Sequence, residues 1–279
     1  MPKPTILTYV DEGASDWTAC LMRTIGHQLP AGHYDMRAVV AEDIRHDPTL
    51  FDDAVLFVMP GGADLPYCAA LNGAPNTRIR QFVEGGGCYF GICAGAYYGC
   101  REIAFHAGTR GAICGPRELG FLDAVAVGSL PELTAGRLYD GTPRTATAAA
   151  LRTAPNLPGP PTDLYTHYHG GCSFDFQGTT PADTSILATY ADLDGMPPAV
   201  VLARVGLGKA ILSGVHLEIS EHEFREALRS HSDMAEHVFV CDRLAETEVE
   251  RLALFRQLLS LGGLTLSDAA RIGTDPEAG

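Results

Sequence analysis

The sequence predicts an α/β protein built on a doubly wound, mostly parallel sheet. Over the first hundred residues, short apolar segments alternate with longer segments of helical spacing. Ala54–Met59 is continuously apolar, as a strand buried on both faces of a parallel sheet must be. Two such strands run into loops that carry reactive or glycine-rich sequence, at Pro60-Gly61-Gly62 and at Cys93. Sheets of this class place their sites at the carboxyl ends of the strands.

The elements follow in order. Residues 5–10 form a short first strand. Residues 16–29 have helical spacing, with Trp17, Leu21, Ile25 and Leu29 on one face. Ser15 is the candidate N-cap, with Asp16 in competition. Residues 36–40 read as the second strand and Ala54–Met59 as the third. Residues 77–83 form a helix closed by Gly85-Gly86-Gly87. Cys88–Ile92 is the next strand, and 94–100 a helix. Beyond Arg101 the signal loosens. Residues 121–127 are strand-like, whereas 131–161 are rich in Thr, Ala and Pro. An irregular excursion near 129–163 is therefore expected, built as hairpins or as a covering flap. Residues 185–189 and 199–204 are late strands, the second turning through 206–208 into a strand at 209–215. Residues 221–230 and 246–259 are amphipathic helices, and Leu252, Phe255 and Leu259 of the latter share a face suited to core packing. One domain over 1–266 and a polar, mobile tail over 267–279 complete the expectation.

The chemistry concentrates at Gly91-Ile92-Cys93-Ala94-Gly95. A strand ends in a cysteine flanked by glycine two residues before and two after, and a helix follows. This is the spacing of a nucleophile elbow, with Cys in place of Ser. The turn is so tight that side chains at the flanking positions would collide. The helix N-terminus is expected to favour a thiolate through its free N–H groups. An isolated pattern of this kind also fits a buried structural cysteine in a glycine-rich loop. A second motif weighs against that reading. The apolar run 210–215 ends in His216-Leu217-Glu218. In extended backbone, residues two apart point the same way, so Glu218 can orient the His216 ring while the ring takes a thiol proton.

The chain has 279 residues, 46% of them apolar, enough for one substantial core that buries roughly 75% of the unfolded surface. The net charge of −14 argues against nucleic acid or an anionic membrane as partner. Lys3 and Lys209 are the only lysines, and the arginines are scattered. No stretch approaches the roughly 20 apolar residues of a membrane span. The amino terminus lacks the pattern of a signal peptide, and the eight cysteines show no C-x-x-C spacing. Reduced thiols and a cytoplasmic location are expected.

Met59-Pro60-Gly61-Gly62, Gly91-Ile92-Cys93-Ala94-Gly95 and His216-Leu217-Glu218 resemble, in order and in strand context, the class I glutamine amidotransferase-like superfamily. The segment from Pro60 to Tyr67, with Leu71-Asn72-Gly73, Ile79 to Val83 and Gly91 to Gly99, resembles the amino-terminal domain of eukaryotic-type biotin–protein ligases and its stand-alone bacterial relatives. Tyr165 to Gly171 is similar, more loosely, to an aromatic and glycine segment of that family. The resemblance implies a flavodoxin-like three-layer sandwich and a Cys93–His216–Glu218 triad. It also implies an oxyanion hole from the N–H groups of Gly61 or Gly62 and Ala94. Two departures stand out. Where working glutamine amidotransferases carry a glutamine four residues after the nucleophile, this chain has Tyr97. It also has no second catalytic domain and no glycine- and arginine-rich adenylate loop, so biotin transfer is not expected.

Asp64, Tyr67, Tyr97, His167 and His169 are the candidate pocket residues. His167 and His169, two apart, would face one side of a strand and suit Zn²⁺, but no third ligand is placed by spacing, and neither metal nor cofactor is expected; the pair reads otherwise as a pocket rim or, before that, as a plain solvated pair. Asp64 serves equally as a helix cap, Arg80 as a surface ion pair, Tyr98 as core, and Cys88 and Cys100 as packing residues. The leading expectation is a cysteine-dependent hydrolase or amidotransferase-like enzyme. Its substrate would be a small carboxamide, γ-glutamyl or related acyl compound, and a biotin-pathway or acceptor protein is a second kind of partner. The alternatives are a non-catalytic binding or regulatory module and, more weakly, a redox sensor.

Overall fold

The computed structural model describes residues 3–228 and 234–268. Its elements run β1 (Thr5–Tyr9), α1 (Thr18–Gln28), β2 (Asp35–Val39), α2 (Ala41–His46), β3 (Ala54–Met59), α3 (Asp64–Leu71), α4 (Ala74–Glu84), β4 (Cys88–Ile92) and α5 (Ala94–Gly99). There follow β5 (Cys100–Phe105), β6 (Ile113–Pro116), β7 (Leu122–Gly128), β8 (Thr147–Thr153), β9 (Asp163–Tyr168), β10 (Cys172–Asp175), β11 (Thr184–Tyr190), β12 (Pro198–Val205) and β13 (Gly208–Ser213). Three helices close the fold: α6 (Glu221–Leu228), α7 (Met234–Glu246) and α8 (Glu248–Leu261).

The central sheet has the order β2-β1-β3-β4-β13-β12-β11-β8-β9. From β2 to β13 every pairing is parallel. From β13 outward to β9 every pairing is antiparallel. The chain leaves β1 for β2 on one side and returns to β3 on the other, which makes the β1/β3 gap a topological switch point. The parallel strands are covered on both faces, and their side chains alternate between two cores. Phe57, Met59, Tyr89 and Leu7 face one core with Leu71, Ile79, Val83 and Tyr97 of α3 to α5. Leu56, Val58, Phe90, Ile92 and Ile6 face the other with Leu21 and Ile25 of α1 and Leu254, Phe255 and Leu258 of α8. This two-sided burial is why β3 and β4 lack polar alternation. The three layers expected from the resemblance are present.

Five readings need correction. The helix after the elbow stops at Gly99, and Cys100 opens β5 instead of ending α5. That strand joins β10, β7 and β6 in a second, four-stranded sheet on the α3–α5 face, which no local pattern announced. The excursion is less irregular than its composition suggests, because 147–153 is β8, a member of the central sheet, paired with β9. Ser15 makes no side-chain cap; the Thr18 hydroxyl donates to the Ser15 carbonyl instead. The stretch 246–259 is not one helix from Glu246, since Thr247 separates α7 from α8. Ser267, expected in the mobile tail, donates its backbone N–H to the Gln28 carbonyl at 2.8 Å. Residues 229–230 of the expected helix and 269–279 of the expected tail lie outside the described residues.

Candidate active site

The β4–α5 turn is built as its spacing requires. Cys93 adopts φ +50° and ψ −107°, a region that non-glycine residues rarely occupy and that marks strained functional turns. A side chain at Gly91 would strike the Gly95 carbonyl, and one at Gly95 would strike the Met59 carbonyl. Both glycines are therefore steric necessities. The Cys93 N–H donates to the Ser213 carbonyl at 2.8 Å, tying the elbow to β13.

The helix that follows contributes less than its position suggested. The N–H groups of Ala96 and Tyr97 donate to the Cys93 carbonyl, and that of Gly95 donates to the Pro60 carbonyl. These donors satisfy backbone and are not free to favour a thiolate. Ala94 N–H and those of Gly61 and Gly62 donate no such backbone bond among the described residues.

Pro60-Gly61-Gly62 follows β3 at the switch point. The loop 13–15 holds it, because the Ser15 N–H donates to the Gly61 carbonyl and the Ala63 N–H to the Gly13 carbonyl. Gly62, at φ +146°, lets that crossing happen, since a side chain there would overlap the Gly13 carbonyl. Gly61 has a different reason. A Cβ on it would lie 2.7 Å from His216 Cε1, and 3.4 Å from both His216 Nε2 and Cys93 Cβ. The imidazole and the nucleophile candidate thus flank one point.

His216 lies beyond the end of β13, not within a strand as the alternation argument supposed; Leu217 and Glu218 form a turn. It is positioned from β9. The His216 N–H donates to the His167 carbonyl at 2.9 Å, and the Thr166 hydroxyl donates to the His216 carbonyl at 2.9 Å. Glu218 Oε1 meets His216 Nδ1 at 2.7 Å, both side chains being buried. With Nδ1–H given to Glu218, Nε2 faces the sulfur side. The Cys93 thiol is 7% exposed and donates to the His169 carbonyl at 3.7 Å. Burial opposes a charged His216, but the Glu218 carboxylate and a hydrogen bond with Cys93 outweigh it and raise its pKa to about 10. Burial and the neighbouring His216 hold His167 neutral, well below the ordinary range.

Two measurements follow. Thr166→Val should cost about 1 kcal/mol through the lost hydrogen bond and should raise the pH at which Cys93 alkylates, which a merely structural role would not do. The second concerns stability. The raised His216 pKa adds stability that is fully present below its ordinary 6.5 and is lost as pH rises through about 10. The urea-unfolding advantage of wild type over His216→Gln should therefore shrink across that window; an advantage that grows with pH contradicts the ion pair.

Of the expected pocket residues, only His167 and His169 line the large cavity beside the site. Asp64 is instead paired with Arg117 at 2.5 Å in the first turn of α3. Tyr67 is fully buried beneath the Pro60 loop, where its hydroxyl donates to the Pro60 and Gly61 carbonyls. Tyr97 is likewise buried, and its hydroxyl donates to the Gly170 and Gly171 carbonyls. Tyr67 and Tyr97 are thus supports for two backbone loops. His167 and His169 stand with ring centroids 6.1 Å apart, and no three potential ligands gather in metal-holding geometry among the described residues. Arg80 pairs with Glu84 and also reaches the Leu119 carbonyl. Tyr98, Cys88 and Cys100 are buried, and burial pushes the Cys88 thiol up to about 12. Thr166 went unnoticed in the sequence, although it stands inside the Tyr165–Gly171 segment already singled out; nothing local says that its hydroxyl reaches a residue 50 positions away.

Comparison with known proteins bears on the family and the fold. The chain matches the family described as "Biotin-protein ligase, N terminal" over residues 4–278. It is 31% identical over 217 residues to an uncharacterized protein of Chlamydia muridarum (strain MoPn / Nigg), covering 76% of this chain and 80% of that one. It is 30% identical over 274 residues to the biotin–protein ligase of Schizosaccharomyces pombe (strain 972 / ATCC 24843), which takes in 96% of this chain but 39% of the ligase. Among solved structures, a glutamine amidotransferase from Thermotoga maritima superposes with a TM-score of 0.53 at 11% identity, covering 94% of this chain and 99% of that one. No helix among the described residues is long and apolar enough to cross a membrane. The chain belongs to the biotin–protein ligase N-terminal family and carries it on a glutamine amidotransferase-like fold.

Proposed function

We propose that the protein is a cysteine-dependent hydrolase or amidotransferase-like enzyme acting on a carboxamide, γ-glutamyl or related acyl compound. The observation that carries the reading is the convergence of Cys93, His216 and Glu218, with Glu218 fixing Nδ1 of the imidazole. His216 Nε2, whose pKa Glu218 holds high, carries the thiol's proton before the substrate arrives, and in the first step the sulfur attacks the acyl carbon. The carbonyl electron pair moves to oxygen, where the Ala94 N–H and that of Gly61 or Gly62 are the donors we assign. The imidazolium then returns its proton to the leaving amine as the carbon–nitrogen bond breaks. Water, deprotonated by His216, releases the acyl group and regenerates the thiol. An acceptor protein supplying an amine in place of water would make the same site a transferase. The eight cysteines are all free thiols, which supports a cytoplasmic setting.

The second reading, a non-catalytic regulatory module, is favoured by one observation. Cys93 is 7% exposed and covered by the segment of His169, whose carbonyl accepts from the thiol and whose ring packs on Tyr139 of the excursion with centroids 4.8 Å apart. The chain spans 39% of the fission-yeast ligase, a length at which a domain can regulate the rest.

The test is intact-mass trapping against carboxamides, esters and γ-glutamyl compounds. An acyl adduct on wild type that is absent from Cys93→Ser supports the enzyme. A Cys93 that alkylates well below pH 8.5 yet accepts no acyl group from the panel supports the module instead.

A further inference from the structure

Cys93 is 7% exposed, so no acyl carbon reaches its sulfur unless part of the surroundings moves. Most of those surroundings are held by the sheet. The elbow is tied to β13 through the Ser213 carbonyl, the Gly61 loop to residues 13–15, and His216 to β9. What is left is His169 and the part of the excursion packed on it. The sulfur stands 3.7 Å from the His169 carbonyl, and the His169 ring meets the Tyr139 ring edge-on with centroids 4.8 Å apart.

The segment that carries Tyr139 is built differently from the rest of the molecule. It joins β7 to β8 and holds no strand or α-helix, only short 3-10 helices at Pro131–Thr134 and Pro143–Thr145. Connections of more than about 12–15 residues without such elements are uncommon in compact domains, and active-site lids are among them. Residues 135–138 and 140–142 are exposed, and Tyr139 alone between them is half-buried. Positive φ angles bracket it, +53° and +83° at Ala135 and Gly136 and +80° at Gly141. These are the turns at which a swing of the tip would be absorbed. Bonds inside the segment let it move as one body: the Gly136 N–H donates to the Pro131 carbonyl, and the Arg137 side chain donates to the Arg144 carbonyl. Its ties at the tip are few. The Tyr139 N–H donates to the Ser129 hydroxyl at 3.1 Å, and His169 Nε2 pairs with the Thr142 carbonyl at 3.0 Å. The Tyr139 ring lies against the Gly170 backbone, where a side chain would strike it. Its hydroxyl enters no hydrogen bond among the described residues, so ring packing is what seats it.

We propose that residues 130–146 form a lid over Cys93, latched by the Tyr139 ring on His169 and Gly170, and that the lid swings out to admit the acyl substrate. The lid stands independently of turnover. Only its role in admitting an acyl substrate rests on the proposed function.

The experiment labels the whole chain with N-ethylmaleimide and with fluorescein-5-maleimide, which share one chemistry and differ in bulk. Cys93 is followed by peptide mapping, with the exposed Cys114 as reference. Both reagents should label Cys93. The ratio of its rate to that of Cys114 should agree between them within about fivefold, because a lid that swings as one body admits both. Tyr139→Ala should raise the Cys93 rate about two- to tenfold with either reagent, the equivalent of one lost edge-to-face contact. The pH midpoint of labelling should stay where it was, since access changes and the triad does not. Tyr139→Phe keeps the ring and should leave the rate within about twofold of wild type. The comparison of reagents needs no variant and decides the matter if Tyr139→Ala fails to fold. A Cys93 that neither reagent labels, a larger shortfall for the bulky reagent, or an unchanged rate in Tyr139→Ala overturns the lid. A moved pH midpoint in that variant overturns the latch. If Tyr139→Ala speeds labelling while neither it nor wild type forms an acyl adduct, the enzyme reading fails and the lid stands. If adducts form while the labelling results go against the lid, the lid falls and the enzyme reading stands.

Discussion

Replacing His216 by glutamine should lower the rate of Cys93 acylation by at least about 10²-fold, the low end of what a positioned general base contributes. The reasoning is geometric before it is electrostatic. Nδ1 is committed to Glu218 at 2.7 Å, which leaves Nε2 as the nitrogen beside Gly61 and Cys93. Glutamine can still donate to the buried carboxylate and so spares the fold the cost of an unpaired charge, but it cannot take a proton. His216→Ala should show the same loss of rate together with a loss of stability, because it strands Glu218. The measurement is adduct formation by intact mass under single-turnover conditions, with the pH profile of alkylation beside it. The profile should move toward that of ordinary cysteine, near pH 8.5. Acylation in His216→Gln at the wild-type rate would remove the imidazole from the mechanism.

The largest stability effect is expected from Gly95→Ala. The added methyl group would overlap the Met59 carbonyl oxygen and lie 2.8 Å from its carbon and 3.0 Å from Met59 Cβ. Met59 ends β3, which pairs with β1 and β4, so the obstacle is sheet backbone that cannot rotate away. Overpacking against such a target should cost about 3 kcal/mol. Gly111→Ala is the control: the nearest atom to its new methyl is Thr109 Oγ1 at 3.9 Å, and its effect should be within about 0.5 kcal/mol. Urea unfolding compares the two. Similar midpoints would mean that the elbow tolerates a side chain, and the steric account of Gly91-x-Cys93-x-Gly95 would be wrong.

Much of the frame was legible because the parallel strands are short, apolar and bounded by glycine. Ala54–Met59 and Cys88–Ile92 match their predicted limits, since burial on both faces leaves no polar residue to blur the ends. The region 131–161 was not legible. Its strand β8 reads Thr-Ala-Ala-Ala-Leu-Arg-Thr, a composition with weak strand preference, and only pairing with β9 and β11 makes it a strand. Likewise Cys100 continues a helix-compatible segment and leaves the helix because the second sheet captures it. At the site, the three residues of the proposed triad could be named from their positions at or just beyond strand ends. Tyr67 and Tyr97 could not be placed, because a tyrosine next to a glycine-rich loop reads the same whether its hydroxyl faces a pocket or braces a carbonyl.

Local sequence alone determined the elbow. Gly91, Cys93 and Gly95 encode a turn that no other spacing allows, and His216-Leu217-Glu218 encodes a carboxylate within reach of an imidazole. Tertiary structure alone decided that these two pieces meet. The pairing of β13 beside β4 brings the Ser213 carbonyl to the Cys93 N–H, and β9, reached through an antiparallel half-sheet, clamps His216 by its backbone. The reason is range: the clash of Gly91 with the Gly95 carbonyl lies within five residues, whereas the fit of Gly95 under Met59 and the meeting of Cys93 with His216 depend on which strands the whole core brings side by side.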